Sequence, residues 1–71
     1  LDVGAIEYIH KRLIRARDEG KAVLVVSYEL DEILNVSDRI AVIHDGQIQG
    51  IVDPRETSKQ ALGVMMVGGK G

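Results

Sequence analysis

Residues 22–26 read AVLVV, the longest unbroken apolar run in the chain, and they restrict the fold more than any other stretch. The run is short and rich in β-branched residues, and apolar and polar positions do not alternate along it. A strand of this kind is apolar on both faces, which is typical of a parallel strand covered by helices. We therefore predict a buried strand here, and such a strand needs neighbours that the few other predicted strands do not supply.

Length and composition exclude several classes of protein. The chain has 71 residues, enough for one small domain, and it has no cysteine, so a disulfide or thiolate–metal framework is excluded. Nine basic and eleven acidic residues give a net charge of −2. Because a nucleic-acid surface needs clustered positive charge, we expect no nucleic-acid partner. The sequence begins at Leu1 without a signal peptide, and we expect a soluble piece of a longer intracellular protein.

Apolar spacing predicts three helices. The first covers residues 3–19, where one face carries Ile6, Ile9, Leu13 and Ile14, with Asp2 as the N-cap and Gly20 as the terminating residue. A short second helix follows Tyr28 and is broken by residues 35–38. A third helix is predicted after Thr57, because Thr57 and Gln60 have the spacing of a capping box. The glycine-rich end from residue 68 is predicted to be frayed.

A β-hairpin is predicted between the second and third helices. Residues 39–43 form its first strand, and Asp45-Gly46 is typical of a type I′ turn because both central residues need positive φ. The returning strand ends before Asp53-Pro54. The predicted order is helix, strand, helix, strand, strand, helix, an α/β arrangement with one parallel crossover and a C-terminal β-hairpin.

Ser27 and Tyr28 are the main candidate site residues. They follow the predicted parallel strand directly, and ligands of open α/β sheets bind beyond the carboxyl ends of such strands. The simpler interpretation, which spacing alone favours, is that Ser27 caps the second helix and Tyr28 packs at the sheet rim.

Other candidates for chemistry are weaker. His10 and His44 are far apart in sequence and have no cysteine or set of acidic partners, so we predict no metal site. We interpret His10 as a residue on the helix surface and His44 as a strand-end residue beside the turn. Met65 and Met66 either face a partner or fill the core. No phosphate-binding loop or nucleophile elbow is present, so these residues alone cannot make an enzyme.

Three segments together resemble the C-terminal part of an ABC transporter ATPase domain. LDVGA at residues 1–5 resembles the end of the D-loop, VLVVSYEL at residues 23–30 the strand and switch loop, and SDRIAVI with DGQI at residues 37–48 the closing hairpin segment. The resemblance implies a partial P-loop NTPase-type domain at residues 1–52, followed by a C-terminal helix and tail at residues 53–71.

The resemblance also implies roles for Asp2, Ser27 and Tyr28 close to a nucleotide. Asp2 corresponds to the D-loop aspartate at the interface between paired ATP sites. Tyr28 occupies the position of the switch histidine that contacts the γ-phosphate in the family. A phenol is far less basic than an imidazole, so this departure puts hydrolysis at the site in doubt, and we assign no catalytic residue.

A subgroup is indicated by DVGA at residues 2–5 and by Ser-x-Glu-Leu at residues 27–30. Both are similar to the second halves of tandem ATPases of simple-sugar and nucleoside importers. This implies a parent that binds ATP and Mg between two ATPase halves, contacts membrane permease subunits and lies in the cytoplasm, peripheral to the inner face of the membrane. The Walker A, Walker B and signature motifs are not among these residues, so we expect the fragment alone to be inactive and to bind no cofactor.

Two alternatives remain open at this point. The chain could be a small autonomous α/β interaction module without nucleotide chemistry. The parent could also hold a regulatory ATP half-site that does not hydrolyse its nucleotide.

Overall fold

The computed structural model describes residues 3–69 and contains three helices and one hairpin. The elements are, in order, α1 (Val3–Asp18), α2 (Leu30–Val36), β1 (Ile40–His44), β2 (Gln47–Val52), one turn of 3₁₀-helix (Pro54–Glu56) and α3 (Lys59–Met66). Strands β1 and β2 pair antiparallel as a two-stranded sheet. The α/β class and the hairpin are therefore confirmed. Within the described residues, no helix has the length and apolar character needed to cross a bilayer.

The predicted strand at residues 22–26 is wrong in this structure. Residues 21–27 form an irregular connection between α1 and α2, and the predicted parallel crossover is absent with the strand. The physical reason is that a strand exists only through backbone hydrogen bonds to a neighbour, and no strand of the described chain pairs with this segment. Because the segment is apolar but not part of a sheet, some of its apolar side chains lie on the surface. Leu24 and Val26 are each 89% exposed, whereas Val25 packs against the core.

Helix α1 follows its prediction closely. It ends at Asp18, one residue before the predicted end, and Gly20 terminates it with a φ of 89°. The Gly20 N–H donates to the Arg17 carbonyl at 2.9 Å and the Lys21 N–H donates to the Ala16 carbonyl at 3.1 Å. These two bonds are a Schellman motif, which requires the left-handed conformation that glycine adopts without strain. The predicted N-cap, Asp2, lies outside the described residues.

The hairpin turn is the one that the Asp-Gly pair predicts. Asp45 has a φ of 52° and Gly46 a φ of 75°, so both central residues have the positive φ of a type I′ turn. The register shifts between Val42 and Ile43, because Val42 is opposite Gly50 and Ile43 is opposite Ile48. The extra residue in β2 makes a β-bulge, which bends the strand.

The core is small and lies between Ile33 and Met65. It consists of Ile33, Ile40, Val42, Leu62 and Met65, from α2, the inner face of β1, and α3. Helix α1 contributes no buried residue. A Cβ atom on Gly50 would lie 2.8 Å from the Met65 Cε, so the missing side chain lets Met65 approach the hairpin. Met65 thus fills the core, as one of its two predicted interpretations requires.

Two predictions about the last segment need correction. Helix α3 is capped by Ser58, whose Oγ accepts a hydrogen bond from the Ala61 N–H at 3.0 Å, and not by Thr57, which ends the 3₁₀ turn. Moreover, Gly68 and Gly69 are not frayed. Gly68 has a φ of 91°, and the two N–H groups donate to the Met65 and Val64 carbonyls in a second Schellman motif. Residues 70–71 lie outside the described part.

Candidate functional site

The loop of Ser27, Tyr28 and Glu29 connects the irregular segment to α2. The Ser27 Oγ accepts a hydrogen bond from the Glu29 N–H at 3.0 Å, which closes a small turn around Tyr28. Glu29 is the N-cap residue of α2, and its side chain makes no capping hydrogen bond. The predicted role of Ser27 as helix cap is therefore wrong: its hydroxyl organises the turn that precedes the helix.

Tyr28 is displayed on the surface at the middle of this turn. Its side chain is 89% exposed, and among residues 3–69 its hydroxyl has no hydrogen-bond partner. The prediction that it packs at a sheet rim is wrong, since the strand that would make that rim is not formed. The turn leaves a phenol ring free to contact something outside the described chain.

Acidic side chains surround the start of α2. Asp31 and Glu32 lie in its first turn, where negative charge suits the helix dipole. Asp31 accepts a hydrogen bond from the Lys59 Nζ at 3.2 Å, and Glu32 lies 3.4 Å from the His10 Nε2. These two contacts connect α2 to α3 and to α1. The acids therefore hold α2 against its neighbours, and they make the same end of α2 unfavourable for an anion.

The two histidines have structural contacts. His10, predicted as a surface residue, bridges α1 to α2 through Glu32. His44 lies at the end of β1, as predicted, and its Nδ1 is 3.1 Å from the Met66 carbonyl, so the ring donates to the last turn of α3. Residues 3–69 contain no group of three or more His, Cys, Asp and Glu side chains that could hold a metal ion.

A shallow cleft of about 370 Å³ lies elsewhere on the surface, and the sequence analysis missed it. Asp53 and Arg55 line it together with the Asp38 side chain. The Arg55 guanidinium and backbone N–H both donate to the Asp53 carboxylate, at 2.9 and 2.8 Å, and this lowers the pKa of Asp53 to about 2. The sequence feature that indicates the contact between Asp53 and Arg55 is an aspartate just before a turn that begins with proline.

A second open cleft of about 320 Å³ lies along α1 and carries Arg12, Arg15 and Lys21 beside Glu19. At the end of the helix, Arg17 bonds both Asp18 and Asp38, at 3.1 and 3.0 Å, and these carboxylates raise its pKa. Neither cleft is lined by Ser27 or Tyr28. The structure thus places these two predicted residues in one exposed turn, and it does not place them in a pocket.

Comparison with known proteins shows which proteins the whole chain is similar to. Homologues across nearly the whole chain are ABC sugar and nucleoside import ATP-binding proteins. The chain is 86% identical over 69 residues to a nucleoside import ATP-binding protein of Lactococcus lactis subsp. cremoris. It is 62% identical over 68 residues to a guanosine import ATP-binding protein of Bacillus subtilis, and 40% identical over 70 residues to a ribose import ATP-binding protein of Bacillus cereus.

The similarity concerns a short part of each relative. The matches cover 97%, 96% and 99% of this chain but only 14%, 13% and 14% of the three relatives. No family model and no solved structure matches the chain.

Proposed function

We propose that the chain is part of the ATP-binding subunit of an ABC importer, and that the imported solute is a nucleoside. The observation that carries this proposal is the gradient of identity. It is 86% to a nucleoside import protein and 62% to a guanosine import protein, but 40% to a ribose import protein. A nucleoside cargo therefore agrees better with the comparisons than a simple sugar, the other cargo class that the sequence predicts.

In the complete subunit, we propose that residues 22–26 are a parallel strand of a P-loop NTPase-type sheet. Two observations support this. Leu24 and Val26 are exposed while Val25 packs against the core, and the segment has no strand neighbour within residues 3–69. Neighbouring strands from the rest of the subunit would supply the missing hydrogen bonds and cover the exposed side chains. Residues 1–52 then belong to the ATPase domain, and residues 53–71 form its C-terminal helix and tail.

Asp2, Ser27 and Tyr28 are the residues that we propose lie near the nucleotide, which is ATP with Mg in the complete protein. Groups outside these 71 residues would hold the phosphates and the metal ion. The Ser27 hydroxyl fixes the turn, and the turn presents Tyr28. Because a phenol donates a hydrogen bond but does not act as a base near neutral pH, Tyr28 would not activate water for hydrolysis.

The remaining partners follow from the same proposal. The segment would work with a second ATPase half and with membrane permease subunits, at the cytoplasmic face of the membrane. The second candidate function is a regulatory half-site, which binds ATP without hydrolysing it, and the tyrosine at position 28 in place of the family's histidine favours it. An autonomous interaction module is less well supported, since so many apolar side chains lie on the surface, among them Leu24, Val26, Ile43 and Val67.

An uptake assay tests the proposed function in the complete subunit. Cells that lack the subunit are complemented with it, and the uptake of radiolabelled guanosine, a second nucleoside and ribose is measured. We expect nucleoside uptake to return and ribose uptake to stay at background. Restoration of ribose uptake alone would contradict the proposed cargo, and restoration of neither would contradict the proposed class.

Variants of Tyr28 distinguish a site that hydrolyses ATP from a regulatory half-site that only binds it. Tyr28→His restores an imidazole, and Tyr28→Phe is the matched control that removes only the hydroxyl. If Tyr28 keeps a half-site from hydrolysing ATP, Tyr28→His raises the ATP turnover of the purified complex by about tenfold or more. An unchanged turnover would exclude Tyr28 as the limiting group.

A further inference from the structure

His10 is a polar residue within the partly buried stripe of α1. It lies one turn from Ile6 and one turn from Ile14, and all three side chains are partly buried. Its Nε2 is 3.4 Å from a carboxylate oxygen of Glu32, which lies in the first turn of α2. The side chains of His10 and Glu32 are only 20% and 28% exposed. Each group has therefore lost much of its contact with water, and the other group replaces part of it.

A polar pair in such a place aligns two helices more than it stabilises them. Its net contribution to stability is small, because the cost of removing both groups from water offsets most of their attraction. Any other alignment of α1 and α2, however, would leave a partly buried imidazole or carboxylate without a partner. A leucine at position 10 would also fill the space, but it would let α2 slide or rotate against α1. The contact of His10 with Glu32 therefore determines where α2 begins.

The start of α2 is also the end of the turn that presents Tyr28. Glu29, the N-cap residue, makes no side-chain capping hydrogen bond. The Ser27 hydroxyl accepts from the Glu29 N–H, which shapes the turn but does not connect it to another element. Ile33 anchors α2 in the core one turn further along. The position of Tyr28 relative to α1 thus depends on the contact that Glu32 makes.

The neighbouring carboxylate makes a looser contact on the other side of α2. Asp31 accepts a hydrogen bond from the Lys59 Nζ of α3 at 3.2 Å, but these side chains are 75% and 56% exposed. Exposed ion pairs contribute little free energy and are screened by salt, so this pair holds α2 only weakly. Of the two contacts, the one between His10 and Glu32 is the one that positions the turn.

We propose that His10 is a positioning residue for the nucleotide site of the complete subunit. Through Glu32 it holds the start of α2, and it thereby sets the position of Tyr28 relative to the bound nucleotide. This inference rests on the proposed function, because it requires Tyr28 to lie near ATP. The strand proposed at residues 22–26 fixes the chain that enters the turn, and the contact of His10 with Glu32 fixes the chain that leaves it.

Equilibrium binding of radiolabelled ATP to the purified complete subunit tests the role of His10. His10→Leu removes the polar atoms, whereas the side-chain amide of His10→Gln keeps a hydrogen-bond donor for Glu32. We expect His10→Leu to weaken ATP binding about threefold to tenfold, and His10→Gln to bind ATP like the wild type. Lys59→Gln, which removes the exposed contact on the other side of α2, is the matched control and should also bind like the wild type.

A variant of Tyr28 separates a positioning role from a merely structural one. Tyr28→Ala should weaken ATP binding, and adding His10→Leu to it should weaken binding no further, since the contact acts through Tyr28. Thermal melting followed by circular dichroism controls for the fold. The apolar pair His10→Leu/Glu32→Leu should melt at or above the wild-type temperature, yet bind ATP as weakly as His10→Leu does. A loss of binding that occurs only with a loss of stability would overturn the proposal.

The other outcomes separate this inference from the proposed function. If Tyr28→Ala weakens binding but His10→Leu does not, the inference alone is overturned. The same holds if His10→Gln binds as weakly as His10→Leu, if Lys59→Gln does so, or if the effect of His10→Leu persists in Tyr28→Ala. Wild-type binding by Tyr28→Ala would contradict the proposed place of Tyr28 near the nucleotide, and this inference with it. A wild-type subunit that binds no ATP would contradict the proposed function itself.

Discussion

Asp53 shows how one carboxylate can end a strand and begin a turn. It follows β2 directly, and its side chain accepts the Arg55 N–H at 2.8 Å and the Arg55 guanidinium at 2.9 Å. The side-chain bond to Arg55, followed by the backbone bond, lowers the pKa of Asp53 from 3.8 to about 2. The ionised form is therefore the one that holds the path of the chain from the hairpin to α3.

The stability of the fold should accordingly depend on pH through Asp53. Because the pKa is lower in the folded chain than the ordinary value of 3.8, the stabilising contribution is complete above that value, and it is lost as the pH falls towards about 2. We expect the free energy of unfolding to fall more steeply over this range in the wild type than in Asp53→Asn. Urea unfolding at a series of pH values measures both slopes.

A carboxyl-carbon NMR titration of Asp53 supplies the control. Its midpoint should lie near pH 2 in the wild type and should rise towards 3.8 in Arg55→Gln, which removes the guanidinium. An identical midpoint in the two chains would show that Arg55 is not the cause of the lowered pKa.

At the scale of the elements, α3 is the helix that holds the core together. Leu62 is 1% exposed, and Met65 packs over Gly50 in β2. Leu62→Ala should therefore cost about 2–5 kcal/mol of unfolding free energy, comparable with the whole stability of a small domain. We expect circular dichroism to show loss of helix and of cooperative melting. Val64→Ala, on the exposed side of the same helix, should change stability by less than about 0.5 kcal/mol. Equal effects of the two changes would contradict the assignment of the core.

The elements also differ in how far the sequence predicts them. The end of α1 and the hairpin turn were predictable, because Gly20 and Asp45-Gly46 meet backbone requirements that are local. The third helix was found with its cap misplaced by one residue, since Thr57 and Ser58 both have capping side chains. The strand at residues 22–26 failed because strand formation depends on a neighbour, which the local pattern does not contain.

Of the candidate site, too, the sequence predicts one part and misses another. The sequence places Ser27 and Tyr28 in one loop before a helix, as observed, but their contacts were not predictable without the sheet. The cleft of Asp53 and Arg55 was missed. The Asp-Pro pair in the sequence shows that Asp53 precedes a turn, but it does not show that a cleft forms around the turn.

For the whole molecule, stability is distributed unevenly. All five core residues lie between Ile33 and Met65, and α1 contributes none of them. Helix α1 is held by partly buried apolar side chains, by the contact of His10 with Glu32 and by the ion pair of Arg17 with Asp38. Exposed ion pairs contribute little free energy, so α1 is the element that opens most readily.

Residue-resolved hydrogen exchange should show this order. The amides of α1 should exchange faster than those of α3 and the paired amides of β1 and β2. Arg17→Gln, which removes the contact with Asp38, should speed exchange in α1 further and leave α3 unchanged. Equal protection of α1 and α3 in the wild type would show that the chain opens as a single unit.

The position of the core also matters during synthesis. Translation produces α1 and the apolar residues 22–26 before any of the five core residues exists. The core residues, against which Val25 packs, leave the ribosome only after it. Because nascent apolar segments attract chaperones and other unfolded chains until their partners emerge, the run AVLVV is open to both until the core residues that follow it have been made.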